Sequence, residues 1–301
     1  MIYLITGATG LVGKEISNLC KTKGITVHYL TTSKNKIEKD ENYKGFFWNP
    51  ESGEIDINAF KGASKIIHLA GASVAKRWTT SYKKTILESR ILTANLLHKT
   101  LSEIDHQVNH FISASAIGIY PSSFTEMYTE ESRKEATDFL GKVVKAWEQA
   151  ADSFSSLQIK VSKIRIGLVL SEKDGALPKI VAPIKSYAGA AFDSGKQWQS
   201  WIHVTDLAKV FIYISENELN GTYNAVAPNP VTQNKLIKVC AEQLDKPLLL
   251  PNIPKFAAKL LLGEMHHIVV DSQRVSSNKI LSKGFSFQFP TIESAIANLY
   301  E

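Results

Sequence analysis

Ile2-Tyr3-Leu4-Ile5-Thr6-Gly7-Ala8-Thr9-Gly10-Leu11-Val12-Gly13 is the stretch on which the reading of this chain turns. A short apolar, β-branched run reads as a buried strand. Three glycines spaced three apart follow at once, and then a helical pattern opens. Each glycine has a separate task in such a turn. Gly7 permits the tight reversal, Gly10 lets backbone approach a diphosphate with no Cβ in the way, and Gly13 allows the helix to pack closely on the strand. The first N–H groups of the helix, with Thr9, Leu11 and Val12 around them, are left to cradle negative charge. A glycine triplet alone is a weak signal. Between a strand and a helix, at the head of an alternating chain, it predicts nucleotide binding.

Outward from that loop the chain keeps alternating. Strands are expected at Ile2–Thr6, Thr26–Thr31, Lys65–Leu69, His110–Ser113, Lys160–Leu170 and Thr222–Ala227, with helices over Ser81–Leu101 and Asp138–Ala151. In the first helix Leu87, Ile91, Ala94 and Leu101 recur at helical spacing and predict a stripe laid on the sheet. The fold class expected is α/β, a Rossmann-type doubly wound parallel sheet with a smaller C-terminal α+β substrate domain. Residues 1–166 form the dinucleotide-binding unit, 205–230 return to it, and 167–204 with 231–301 form the smaller unit. There Thr232 and Thr291 are candidate helix caps, Pro254 suits a first turn and Gly263 a helix end.

Composition narrows the classes. The 301 residues are 44% apolar and 21% charged, which suits a folded globular chain. No apolar run is long enough to span a membrane, so membrane insertion is not expected. The chain enters a strand at its first residues, so no leader peptide is expected, and its two cysteines suggest no disulfide framework or zinc site. A cytoplasmic setting is therefore expected, with no metal. The net charge of +6 is dispersed apart from Lys34, Lys36 and Lys39, so nucleic acid is not an expected partner.

The second strand bears on the nucleotide. An NAD-binding site usually has an acidic residue near its end to hold the ribose 2′-hydroxyl. From Ile16 to Ile37 there is none, and the strand runs out through Thr31-Thr32-Ser33-Lys34. Two hydroxyls and a lysine suit a 2′-phosphate, so NADP(H) is favoured over NAD(H).

The glycine spacing resembles the extended, epimerase-like branch of the short-chain dehydrogenase/reductase superfamily. His68-Leu69-Ala70-Gly71 resembles that group's element beside the nicotinamide-side ribose, which would place Leu69, Ala70 and Gly71 against the cofactor. Phe111-Ile112-Ser113-Ala114-Ser115-Ala116 is similar to its Ser-Ser-x-Ser-Ala segment. This would put Ser113 and Ala114 by the cofactor and make Ser115 the serine that orients the reacting oxygen. The group's Tyr-x-x-x-Lys acid/base pair is missing. None of the ten tyrosines has a lysine four residues on, and the two expected positions carry Leu140 and Val144. Lys142 and Lys145 point about 200° and 100° away from Val144 on an ideal helix.

Further segments tighten the resemblance. They are Lys76–Thr79, Glu88-Ser89-Arg90, Phe139 through Glu148, Arg165–Leu170, Gly195–Asp206, Tyr223–Pro228, Leu262–Met265 and Gln273–Val275. Together they resemble atypical epimerase-family proteins, named as sugar-nucleotide epimerases or as cell-division inhibitor homologues, which also lack the pair. Candidate substrate-pocket residues are Trp78, Tyr120, Arg165, Trp198, Trp201, His203 and Arg274. All but Trp78 have two readings. Tyr120 donates a proton or packs at a loop base. Trp198 and Trp201 stack on a ring or wall the core. His203 bonds Asp206 to lock its loop or takes part in catalysis, and Thr205 is a candidate helix cap. Arg165 meets an acidic side chain or an anionic ligand. Arg77, Arg90 and Arg274 make surface salt bridges or recognise anions.

Two functions compete. One is an NADP(H)-dependent oxidoreductase or epimerase acting on a polar small molecule, such as a sugar nucleotide, with Tyr120, water or the substrate supplying the proton. The other is a non-catalytic NADP(H)-responsive regulator, linked through the resemblance to cell division. A small-molecule substrate is the expected partner, with a homodimer and a regulatory protein as further candidates.

Overall fold

A computed structural model describes residues 1–301. Seven parallel strands form its centre: β1 (Ile2–Thr6), β2 (Thr26–Thr31), β3 (Tyr43–Asn49), β4 (Ala63–His68), β5 (His110–Ala116), β6 (Lys160–Ile166) and β7 (Gly221–Ala225). Their order across the sheet is β7-β6-β5-β4-β1-β2-β3, which reverses direction between β1 and β4. That switch point opens a crevice at the carboxyl ends of the strands. Short antiparallel strands, Lys39–Asp40 and Glu54–Ile55, pair with β3.

Alternation along the strands divides the core into two layers. Ile5, Ile67, Ile112 and Ile164 face one side, against Ile16 of α1 (Leu11–Thr22) and Leu207 and Phe211 of a later helix, Val204–Glu216. Leu4, Ile66, Phe111 and Val161 face the other, against α2 (Thr80–Glu103) and α3 (Phe139–Asp152). The expected stripe on α2 is rotated. Its buried residues are Ile86, Arg90, Thr93, Ala94, Leu96, Leu97, Thr100 and Leu101, while Leu87 and Ile91 are only half-buried. The helix packs on α3 as well as on the sheet, so two neighbours set its buried face.

The apolar run at Lys160–Leu170 is two strands, not one. Gly167 breaks it: β6 stays in the main sheet, and Leu168–Leu170 pairs with Trp201–His203. A Cβ on Gly167 would lie 2.2 Å from the Ser200 carbonyl oxygen, so only glycine lets the two sheets cross there. A third core lies beyond the crossing and joins Leu170, Val181, Trp201, Leu236, Cys240 and Ile296. Thr232 and Thr291 cap helices Gln233–Gln243 and Ile292–Tyr300 by accepting from Lys235 and Ser294 N–H. Pro254 is the N-cap of Lys255–Leu262, just outside its first turn, and Gly263 ends that helix at φ +59. No helix is long and apolar enough to cross a membrane.

Candidate active site

The glycine loop has the geometry of an anion cradle. Gly7 takes φ +72, a conformation costly for residues with a Cβ. Gly10 is the N-cap of α1, no side chain caps the helix, and its first turn carries no acid. The first bond of the helix runs from the Lys14 N–H to the Gly10 carbonyl, so the N–H groups of Leu11, Val12 and Gly13 precede it. A Cβ on Gly13 would lie 2.2 Å from the Gly7 carbonyl oxygen and 2.6 Å from Ala8 Cα, so glycine is what allows α1 to sit this close. These features fit a dinucleotide diphosphate. At the end of β2 the Thr31 hydroxyl accepts from the Ser33 N–H, and the Lys34 ammonium lies 4.9 Å from the Phe47 ring centroid.

The end of β4 is tied to this loop by a directed chain of hydrogen bonds. Thr6 Oγ1 accepts from the N–H groups of Leu69 and Ala70, both at 3.1 Å. Its own proton is then free to go to His68 Nδ1, 2.8 Å away. That leaves Nε2–H to donate to Thr93 Oγ1 at 3.2 Å, whose proton goes on to the Ser89 carbonyl. Burial, aided by the charge of Arg90, pushes His68 down to about 3, so it is neutral as this chain requires. Leu69, Ala70 and Gly71 are thus held in register with Gly7.

At β5 the structure joins five residues in a buried network. Ser115, only 2% exposed, donates to Glu148 Oε1 at 2.6 Å. Arg165 grips the same carboxylate with Nε at 2.8 Å and Nη2 at 2.9 Å, and its Nη1 donates to the Tyr120 hydroxyl. Tyr120, 1% exposed, passes its proton to Asn224 Oδ1 at 2.8 Å. Arg165 therefore meets an acidic side chain, and Tyr120 packs at the base of its loop. Burial alone would raise the Glu148 carboxyl, but the hydrogen bonds and charge of Arg165, with Ser115 and Lys163, hold it below its ordinary value. Burial likewise opposes the Arg165 charge, and Glu148 outweighs it. Ser113 donates to the Ala114 carbonyl on the same strand.

The two positions where a Tyr/Lys pair would stand are apolar in fact as well as in text. Leu140 packs with Trp78 and Phe139, and Val144 is buried among Ile119, Tyr120 and Val275. Lys145 points outward to Glu135.

The other candidates fall into separate places. Trp198 donates from Nε1 to the Phe124 carbonyl, and the Arg274 guanidinium lies 4.6 Å from its ring centroid. Arg274 is held there because Arg274–Val275 pairs with Met127–Tyr128 in the loop after β5. Trp201 is fully buried in the third core. Trp78 is buried too, edge-on to Phe139. The expected bond between His203 and Asp206 does not form. His203 caps the Val204–Glu216 helix by accepting the Thr205 N–H, so it and not Thr205 is the cap. Asp206 turns away to accept the N–H groups of Gln288 and Phe289, both at 2.9 Å.

The sequence alone does not single out Glu148, Thr6, His68, Thr93 and Asn224 as site residues. Glu148 left a signal: it lies four residues after Val144 and three before Ala151, on the buried stripe of α3.

A model of the NAD dependent epimerase/dehydratase family matches residues 3–225. The chain belongs to that family. A domain of unknown function, DUF1731, matches residues 253–299. Epimerase family protein SH2119 of Staphylococcus haemolyticus is 34% identical over 99% of both chains. Epimerase family protein SA0724 of Staphylococcus aureus is 35% identical, over 99% of this chain and 98% of its own. Among solved structures, human epimerase family protein SDR39U1 (isoform 2), with NADPH, superposes with a TM-score of 0.86 at 24% identity, over 100% of this chain and 99% of its own. A nucleoside-diphosphate sugar epimerase of Corynebacterium glutamicum gives 0.79 at 30% identity over 100% of this chain, which spans only 58% of that longer one. These relatives carry epimerase names, which lend no support to a cell-division role.

Proposed function

We propose that the protein is an NADP(H)-dependent oxidoreductase or epimerase acting on a polar small molecule, with sugar nucleotides the first class to test. The observation that carries this is the glycine loop: an uncapped, acid-free helix start, followed at the end of β2 by Thr32, Ser33 and Lys34 where an NAD site would place a carboxylate. The human relative bound to NADPH supports the same reading. Bound there, the cofactor would supply or accept a hydride at C4 of its nicotinamide.

The chain's own residues would do the rest. The N–H groups of Leu11, Val12 and Gly13 hold the diphosphate, and Lys34 the 2′-phosphate. Ser113 and Ala114 flank the cofactor with Leu69, Ala70 and Gly71. Ser115 orients the reacting oxygen: with its proton on Glu148 it accepts from that oxygen as a hydroxyl, and it donates to a carbonyl once that proton turns away from Glu148. With Tyr120 engaged by Asn224, water or the substrate itself supplies the proton. Residues 167–204 and 231–301 would hold the substrate, with Trp198 and Arg274 as its stacking and anion-binding groups.

The test is to incubate the protein with NADPH deuterated at C4 and a protein-free metabolite extract, with heat-killed protein as control. Protein-dependent transfer of deuterium to a metabolite is expected, and its mass names the substrate. Tight NADPH binding with no transfer would overturn catalysis in favour of a cofactor-responsive regulator. No binding would overturn both.

A further inference from the structure

Arg90 is the one charged residue on the buried face of α2, and it is 9% exposed. No carboxylate pairs with it. Glu88, its nearest acidic neighbour in sequence, is engaged with Lys84. Its Nη1 donates to the carbonyls of Ala72 and Ile86, at 3.2 and 2.8 Å. Nε is buried without a partner. Nη2 makes no hydrogen bond to the protein either. The guanidinium lies 4.8 Å from the Trp147 ring centroid, and the Trp147 indole N–H is a second buried donor without an acceptor.

Burial draws the Arg90 pKa down to about 10, so the group is still charged at neutral pH. A desolvated cation with unused donors and no counter-charge is costly to a fold. Its place suggests what completes it. Gly71, exposed at the end of β4, lies so close that a Cβ there would be 3.3 Å from Arg90 Cζ. Two residues earlier, Leu69 packs on Gly7 of the anion cradle, where a Gly7 Cβ would be 3.1 Å from the Leu69 carbonyl carbon. A dinucleotide running from the cradle along Leu69-Ala70-Gly71 would pass over the guanidinium.

We propose that Arg90 is an anion-binding residue of the cofactor cleft, set against the phosphate on the nicotinamide side of the dinucleotide. This inference rests on the NADP(H) reading above. Arg90 is a binding residue only; it moves no proton. Trp147 beneath it fixes the plane of the guanidinium, as an aromatic face does for a cation.

A residue kept for binding and a residue kept for packing give opposite results on removal. NADPH affinity is read by fluorescence titration and apo stability by thermal unfolding, on the full chain. Arg90→Met is expected to weaken NADPH binding at least tenfold. It should leave binding of 2′,5′-ADP, which lacks the nicotinamide half, within twofold of the parent, and it should not lower the unfolding temperature of the apo protein. Arg90→Lys keeps charge but not the fork, and is expected to bind NADPH three- to tenfold more weakly than the parent. It serves alone if the methionine variant does not fold. Unchanged NADPH affinity overturns the proposal, as does an equal loss for both ligands with a lowered unfolding temperature. If the parent protein binds no NADPH, the functional reading falls and this inference with it. If the parent binds and the variants match it, this inference falls alone.

Discussion

Replacing Arg165 with methionine would leave the Glu148 carboxylate buried with only the Ser115 hydroxyl and the more distant Lys163 ammonium, 3.7 Å away. In the parent the two side chains are 12% and 9% exposed and meet through two hydrogen bonds. Breaking one partner of such a pair costs about 3–5 kcal/mol, because the remaining charge stays desolvated. Lys163 remains, so the lower end, about 3 kcal/mol, is expected. For a chain of this length that lowers the unfolding temperature by about 5 °C. The pH dependence carries the sharper signature. In the parent, Glu148 titrates below its ordinary value, so its contribution is complete above the unfolded carboxyl pKa of about 4.3 and is lost as pH falls through the lowered folded value. Without Arg165, burial raises the carboxyl instead, and protonation on acidification relieves the variant. The stability gap should therefore narrow from pH 7 towards pH 4. Urea unfolding at several pH values measures it. The further change Glu148→Met in the same chain should recover most of the loss, since both charges are then gone. A gap below about 0.5 kcal/mol at pH 7, typical of a neutral surface change, or one that stays constant with pH, would refute this account.

Other outcomes follow from the same geometry. Gly13→Ala forces a methyl onto backbone atoms at 2.2 and 2.6 Å, so a loss of about 1–3 kcal/mol is expected with weakened NADPH binding. Urea unfolding and fluorescence titration check both, and a variant as stable as the parent would contradict the close packing of α1. Lys34→Ala should reduce the preference for NADPH over NADH about tenfold, roughly 1.4 kcal/mol, without weakening NADH; an unchanged ratio removes Lys34 from the 2′-phosphate site. Cys20 and Cys240 are buried thiols pushed up to about 12, so neither should react with a thiol-specific disulfide reagent until the protein unfolds. Rapid labelling of the native protein would show that those cores open.

The parts of the fold that announce themselves in the sequence do so through local rules. The loop at Gly7, the β-branched strands and the threonine caps depend on neighbours in the chain. What stayed hidden depends on neighbours in space. β3, Tyr43–Asn49, carries lysine and glycine among its aromatics and is half-exposed near the sheet edge, so it has neither the continuous apolar run of a central strand nor a clean alternation. The break at Gly167 requires knowing that Ser200 lies opposite. In the site, the glycine loop and the missing Tyr/Lys pair were legible because both are fixed spacings. The Glu148–Arg165 pairing, the order of protons through His68 and the isolation of Arg90 were not, since each depends on partners 17 or more residues away. For Arg90 a clue was present: it shares the 86, 90, 93, 97 spacing with residues that are plainly interior.

The crossing at Gly167 bears on how this chain can be recombined. The family match ends at residue 225 and the DUF1731 match begins at residue 253, which invites treating the two as exchangeable modules. Yet Gly167 N–H donates to the Ala225 carbonyl, Leu168 N–H to that of Ser200, and Ala227 N–H to that of Trp201. Three segments are stitched together backbone to backbone at a spot with no room for a methyl group. A chimera cut between residues 228 and 253 would keep that seam whole, whereas one cut between residues 167 and 200 would ask two parents to agree on it to within tenths of an ångström. Relatives of this protein can therefore exchange their C-terminal portions after the seam, in the stretch between the two matched regions, and not across the seam itself.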